Sequence, residues 1–405
     1  MASSPAGPAP FRVLVLNQIS DKGLHRLPAG LYVTGKDIAE PDAVLVRSAD
    51  MHAMQIAPSV KAIGRAGAGT NNIPVKAMSE RGVPVFNAPG GNANAVKELV
   101  LAGMLIAARN LAPAHRFVDH LDAKAADLDK VVEDGKKAFA GVELAGQTLG
   151  IIGLGKVGCL VADAAIKLGM DVLGYDPDIT VDAAWSLPAQ VRKATSVNEV
   201  LKNSNFITLH VPLLDATRGL VNEKNLALVQ PGTVLLNFSR DGVASDAAVL
   251  AALDAKQLAW YVCDFPTQAI LGHSHVVALP HLGASTREAE DNCAVMVADQ
   301  LRAFLEDGNV TNAVNFPNVA MARESRFRIA IANANVPNML GQISTTMANA
   351  GLNIHTMVNK SRGEMAYTLV DVDSAVGDAV LQGLRAIQGV LAVRYLPQAG
   401  AQGEH

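Results

Sequence analysis

The chain has 405 residues, half of them hydrophobic and 18% charged, with a formal net charge of −4. That length exceeds what one core organises, so two or three domains are expected, and the apolar content argues against a largely disordered chain. The slight acidity and the lack of a long basic run exclude a general field for nucleic acid or an anionic membrane, and no run of about 20 apolar residues predicts a membrane span.

Residues 1–10 are small and rich in Pro and Ala, without a basic start and an apolar run, and read as an unstructured extension. Short apolar runs at 12–16, 43–46 and 61–63 end in Gly, Asn or polar clusters and alternate with plausible helices, which predicts parallel βα units. The segment NANAVKELVLAGMLIAARN predicts a long buried helix over about 93–110 that carries the chain into a second unit. That unit opens with a strand at 148–152, a glycine-rich turn, a helix closed by Gly169 and a strand at 172–175. Strands at 206–210, 234–238, 260–262 and 276–279 follow, an order that predicts a doubly wound sheet. After Thr286 a helix to about Glu306 leads back to the first unit.

The remaining residues alternate as strand 326–332, a helix with Met339, Leu340, Ile343 and Met347 on one face, and strands 352–359 and 365–372. A helix facing inward with Val376, Val380, Leu384 and Ile387 and a strand at 390–396 complete a βαββαβ order, a ferredoxin-like unit. The fold class is therefore α/β: two doubly wound parallel-sheet domains, one discontinuous, and a small C-terminal ferredoxin-like domain. The boundaries are 11–108 with 287–315, then 109–286, then 325–398, with Asn315-Phe-Pro-Asn318 as the linker. Cys159, Cys263 and Cys293 lie far apart without metal-ligand spacing. No metal site is expected, and a reducing, cytoplasmic setting is the simpler reading.

Gly153, Gly155 and Gly158 stand between a predicted strand and a predicted helix, where dinucleotide binding needs them. The first permits the tight turn, the second lets a pyrophosphate approach the backbone, and the third lets helix and strand pack closely. The helix start then offers free N–H groups to phosphates. Asp176 ends the next strand, where a carboxylate accepts hydrogen bonds from ribose hydroxyls and repels a 2′-phosphate, so NAD is expected over NADP.

With these features, GRAGAGTNNIP (64–74), GIIGLGKVG (150–158), LHVPL (209–213), NFSRDGV (237–243) and PHLGAST (280–286) appear in one order. In them the chain resembles the D-isomer-specific 2-hydroxyacid dehydrogenases over nearly everything up to Pro317. The resemblance implies hydride transfer between NAD and a small D-2-hydroxy acid. His281 would be the acid/base, and Arg240 the cation that holds the carboxylate and polarises the carbonyl. It also implies cofactor contacts at Lys156, Val157, Val211, Pro212, Phe238, Ser239, Leu282, Gly283 and Ala284, largely through backbone atoms. Asp264 matches a position at the nicotinamide end, with a buried capping aspartate as the alternative. The family places a glutamate beside the histidine at the position that falls on Ala269. Here only Gln268 is adjacent, and an amide supplies no negative charge.

By the same resemblance, Arg47 and Arg65, both at strand ends, would hold a substrate phosphate, with solvated surface cations as the alternative. Gly69, Thr70 and Asn71 would offer backbone amides to the carboxylate. Lys136 or Lys137 matches a region that reaches a neighbouring subunit in relatives. The substrate implied is 3-phosphoglycerate. The C-terminal unit resembles ACT domains, whose pairs bind amino acids between subunits. Asn335 and Asn353 would then contact an L-serine effector in a homo-oligomer, dimer or tetramer, unless they only support turns. Two other readings stay open: a dehydrogenase of another D-2-hydroxy acid, and a non-catalytic sensor of nucleotide and amino acid.

Overall fold

The computed structural model describes residues 9–124 and 127–398. Residues 1–8 of the expected N-terminal extension lie outside them. The chain forms two compact units, one running to Asn92 and resuming at Arg287, the other Ala93–Thr286.

In the first unit, β1 (Phe11–Val15), β2 (Tyr32–Gly35), β3 (Ala43–Val46), β4 (Ala62–Arg65) and β5 (Val85–Phe86) form a parallel sheet in the order β2-β1-β3-β4-β5. This is one of the two common doubly wound orders, with the ligand edge at the carboxyl ends of the strands. The run AVLV of β3 is wholly buried, as a central parallel strand covered on both faces requires. The helix Arg287–Asp307 packs on this sheet through Val297, Leu301 and Phe304. Gly64 makes the approach possible, since a Cβ there would come within 2.4 Å of Val297 Cγ1.

The second unit carries β6 (Thr148–Ile152), β7 (Asp171–Tyr175), β8 (Arg192–Lys193), β9 (Phe206–Leu209), β10 (Thr233–Asn237), β11 (Leu258–Cys263) and β12 (Val276–Ala278). Their order is β12-β11-β10-β9-β6-β7-β8, so the direction of winding reverses between β6 and β9. That reversal is where open α/β sheets bind nucleotides. An expected boundary at 108/109 would assign the helix Ala93–Ala108 to the first unit. Instead its buried face, Val96, Val100 and Met104, shares a core with Leu149, Phe238 and Val262 of the second.

The C-terminal residues add β13 (Phe327–Ala334), β14 (Ile354–Arg362), β15 (Met365–Val372) and β16 (Val390–Pro397), antiparallel in the order β14-β15-β13-β16. With the helices Met339–Asn349 and Asp378–Ala386 this is the ferredoxin-like arrangement expected. Val376 lies just before the second helix rather than in it. Ile329, Ile331 and Val370 face the two helices. Ala330, Tyr367 and Leu369 turn the other way and join Phe304 and Phe316 in the core of the first unit. With both faces covered, β13 is buried over six consecutive residues instead of alternating. The expected linker is accordingly a packed segment. Phe316 is fully buried, and Asn315 accepts from the Val85 amide and donates to Ser79 and Val83.

Arg328 ties these layers together. It and Asp371 are inaccessible to solvent, with Nε on Oδ1 at 2.6 Å and Nη2 on Oδ2 at 2.8 Å. Its remaining donors reach the carbonyls of Asp307, Met321 and Ala322. Asp371 also accepts from the Glu324 amide, so the pair is saturated. No helix among the described residues is long and apolar enough to cross a membrane.

Candidate active site

The glycine turn follows β6 directly. Gly153 has φ +96°, and a Cβ there would lie 2.5 Å from the His210 carbonyl oxygen; one on Gly158 would lie 2.1 Å from that of Gly153. Both positions therefore need glycine for a left-handed turn and a close approach. Gly155 differs, because none of the described residues lies within 4 Å of its missing Cβ. That open side is where another group can reach the backbone. The helix Lys156–Lys167 begins at Gly155 with no side-chain cap, leaving the first N–H groups free for an anion. Asp176 stands at the end of β7, its Oδ2 accepting from the Leu154 amide and its Oδ1 from the Asp178 amide. The carboxylate is thus fixed beside the glycine turn. Free amides, an open flank and a fixed carboxylate fit a dinucleotide.

Three further strands end on the same edge. Asn237, Cys263 and Ala278 are paired in register across β10, β11 and β12. Arg240, Asp264 and His281 therefore leave the sheet side by side, at strand spacings of about 4.8 Å each. Arg240 is exposed, and its Nη1 donates to the carbonyl of Ser239 at 2.6 Å. Asn237, which the sequence reading left unassigned, shapes this turn. Its Oδ1 accepts from the amide and hydroxyl of Ser239, and its Nδ2 donates to the Arg240 carbonyl at 3.0 Å. An asparagine accepting from the amide two residues on is an Asx turn, a signal readable in NFSRDG.

His281 is exposed and takes φ +56°, a left-handed conformation uncommon outside glycine. The surroundings enforce it. Its amide reaches the carbonyls of Asp264 and Leu279, and the next two amides, Leu282 and Gly283, donate to Asp264 Oδ1 at 2.7 Å and Oδ2 at 2.8 Å. Asp264 is 1% exposed, so both carboxylate oxygens are committed to the histidine loop. A buried carboxylate needs such donors and the loop supplies them, which is the arrangement of a capping aspartate. The imidazole ring neighbour is Phe265, with centroids 4.8 Å apart. Gln268 and Ala269 are both exposed.

Val211 and Pro212 follow β9 on this edge, next to His210. Burial pushes the His210 imidazole down to about 4, and its Nε2 lies 2.9 Å from Thr208 Oγ1. Phe238 is buried in the core, whereas Leu282 is exposed.

In the first unit Arg47 follows β3 and Arg65 ends β4, the adjacent strand. Arg47 Nη2 pairs with Glu290 Oε1 at 2.7 Å, both side chains partly exposed. Gly67 makes room for Arg65, since a Cβ there would lie 1.7 Å from its Nη1. Gly69, Thr70 and Asn71 form a partly exposed turn held by the Ile73 amide on the Thr70 carbonyl and by His52 on the Asn71 carbonyl. In the C-terminal sheet Asn335 and Asn353 are exposed. Asn335 donates to the Gly363 carbonyl, and the Asn353 amide to Asp373.

Residues 101–283 match the NAD-binding domain of the D-isomer specific 2-hydroxyacid dehydrogenases. The chain belongs to this family. It is 31% identical to the D-3-phosphoglycerate dehydrogenase of Escherichia coli (strain K12) over 357 residues, 84% of this chain and 82% of that protein. It is 33% identical to the enzyme of the same name from Methanocaldococcus jannaschii over 356 residues, 86% of this chain. It spans only 64% of that relative's length. The NAD+-bound 3-phosphoglycerate dehydrogenase of Entamoeba histolytica shares the fold, with a TM-score of 0.59 and 24% identity over 76% of this chain and 99% of that one.

Proposed function

We propose that the chain oxidises 3-phosphoglycerate to 3-phosphooxypyruvate with NAD, the first step of phosphorylated L-serine biosynthesis, as a cytoplasmic enzyme. The observation that carries this reading is the alignment of Arg240 and His281 on the carboxyl edge that also bears the glycine turn. The names of the relatives supply the substrate. Bound NAD supplies the acceptor for the hydride from C2. His281 takes the hydroxyl proton and passes it to water, which its exposure allows. Arg240 holds the carboxylate and favours the developing carbonyl, a role open to it because its guanidinium rests on a neutral carbonyl oxygen. Asn237 and Asp264 act as positioning residues for these two groups.

Arg47 and Arg65 are the cations proposed for the phosphate, and the amides of Gly69, Thr70 and Asn71 for the carboxylate. Steady-state NADH formation from 3-phosphoglycerate and from D-lactate tests the assignment. Arg47→Ala should raise KM for the first at least tenfold and leave the second unchanged, and equal effects would refute phosphate recognition. The Arg47–Glu290 pair favours a second reading, an unphosphorylated D-2-hydroxy acid, because the cation already has a carboxylate partner. Preference for the simple substrate in the same assay would select it. For the C-terminal sheet we propose an ACT-type role in a homo-oligomer, with L-serine held by Asn335 and Asn353. Loss of serine inhibition in Asn353→Ala is the expected result.

A further inference from the structure

A cleft of about 450 Å³ lies within the first unit, where the turn before β4 and the end of the helix Val75–Glu80 meet β16 and the helix Asp378–Ala386. Its walls touch at Gly82, whose φ is +69° and whose missing Cβ would lie 2.8 Å from Ala392 Cβ. A bulge at Leu391 breaks the β13–β16 register at the same place. Four cationic residues from four different segments line the cleft, Lys61, Arg81, Arg385 and Arg394, and among the described residues no Asp or Glu does. Lys61 alone has a carboxylate partner, Asp42, whose other oxygen accepts from the Arg12 amide.

The arginines are held by neutral groups. Arg81 donates to the carbonyls of Ile56 and Ala57, and Arg394 to those of Phe304 and Leu305 while resting 4.4 Å from the Phe304 ring centre. Carbonyls fix where a guanidinium points but leave its unit charge uncancelled. Burial also works against the charge of Arg394, which Asp42 offsets only in part and a bound anion would offset further. Arg385 closes the last turn of its helix and is exposed. Three guanidiniums and one ammonium beside the single carboxylate of Asp42, around a volume suited to a small molecule, leave net positive charge for an anion.

We propose that this cleft binds a small, multiply charged oxyanion, carrying phosphate or carboxylate groups, at a site separate from the dehydrogenase residues. Such a ligand would touch both the five-stranded sheet and the C-terminal sheet and so report a metabolite to their junction.

The test is isothermal titration of the full chain, saturated with NADH to occupy the glycine turn, with inorganic pyrophosphate and separately with citrate. Arg385→Gln and Arg385→Glu are compared with the parent, and Arg47→Ala controls for the other cations. Submillimolar binding at one site per chain is expected, weakened about tenfold by Arg385→Gln and further by Arg385→Glu, and unaffected by Arg47→Ala. Pyrophosphate alone would identify a phosphate ligand, citrate alone a carboxylate ligand, and either supports the proposal. No saturable heat with either anion, equal affinities in the parent and both Arg385 variants, or weakening confined to Arg47→Ala would overturn it. Failure of NADH to saturate would count against the dehydrogenase reading instead, and the titrations then run without it are judged by the Arg385 variants alone.

Discussion

The edge carrying Arg240 and His281 and the junction carrying Arg328 and Asp371 treat charge in opposite ways. Arg240 and His281 are exposed, and their loops are held by main-chain groups and by the side chains of Asn237 and Asp264, with the Arg240 guanidinium resting on one carbonyl oxygen. Arg328 and Asp371 are wholly buried and use one another together with four main-chain groups. A polar group serves a ligand only while some of its bonding capacity is unspent, and serves architecture only once that capacity is filled. Residue type does not distinguish the two cases. Burial and saturation do.

Substitution should separate them cleanly. His281→Ala removes the proposed proton acceptor and is expected to lower kcat by about 10²–10⁴, with little change in thermal midpoint. Turnover near the parent's would remove His281 from the chemistry. His281→Gly should be equally inactive yet unfold at a higher temperature than His281→Ala, because glycine takes a positive φ without steric cost. Arg328→Ala should do the reverse. It strands a buried carboxylate and is expected to cost about 3–5 kcal/mol in urea unfolding, while the molecules still folded turn over normally. An unchanged midpoint would mean that Asp371 finds other partners.

Asp264→Asn lies between these extremes, since Asp264 is buried like Asp371 but serves an exposed loop. The amide replaces one acceptor with a donor facing the N–H of Leu282 or Gly283, a loss of about 1–3 kcal/mol. Part of it should appear as a roughly tenfold fall in kcat with KM for NAD little changed. Loss of stability alone, at full kcat, would show that the loop holds His281 without this carboxylate.

Much of this edge was legible because its chemistry is written in short spans. The glycines, Asp176, Arg240 and His281 each sit within a few residues of an apolar run, and every long strand was found to within about three residues at either end. The strands β2, β5 and β8 were not found: two have only two residues, and the third, Tyr32–Gly35, buries little beyond Tyr32. The role of Arg328 was unreadable for another reason. It depends on which main-chain groups tertiary packing brings to the side chain, and neighbouring letters carry no record of that. Asn338 is a middle case, since its left-handed φ of 62° is one that asparagine tolerates better than most residues, which the sequence permits but does not require.

The smallest expected effect tests the same contrast by pH. Burial holds His210 down to about 4, against an ordinary 6.5. Above pH 6.5 the ring is neutral folded or unfolded and contributes nothing to pH dependence. As pH falls from 6.5 toward 4, the unfolded chain takes up a proton that the folded chain refuses, so stability declines across that window. At pH 5 the loss is at most about 2 kcal/mol, less whatever solvent screens. His210→Gln keeps a polar partner for Thr208 and cannot titrate, so its urea midpoint should fall less steeply between pH 7 and 5 than the parent's. Parallel curves would mean that solvent reaches the ring, which would put His210 with the exposed groups of this edge and leave Asp264 and Asn237 as the buried polar groups that support it.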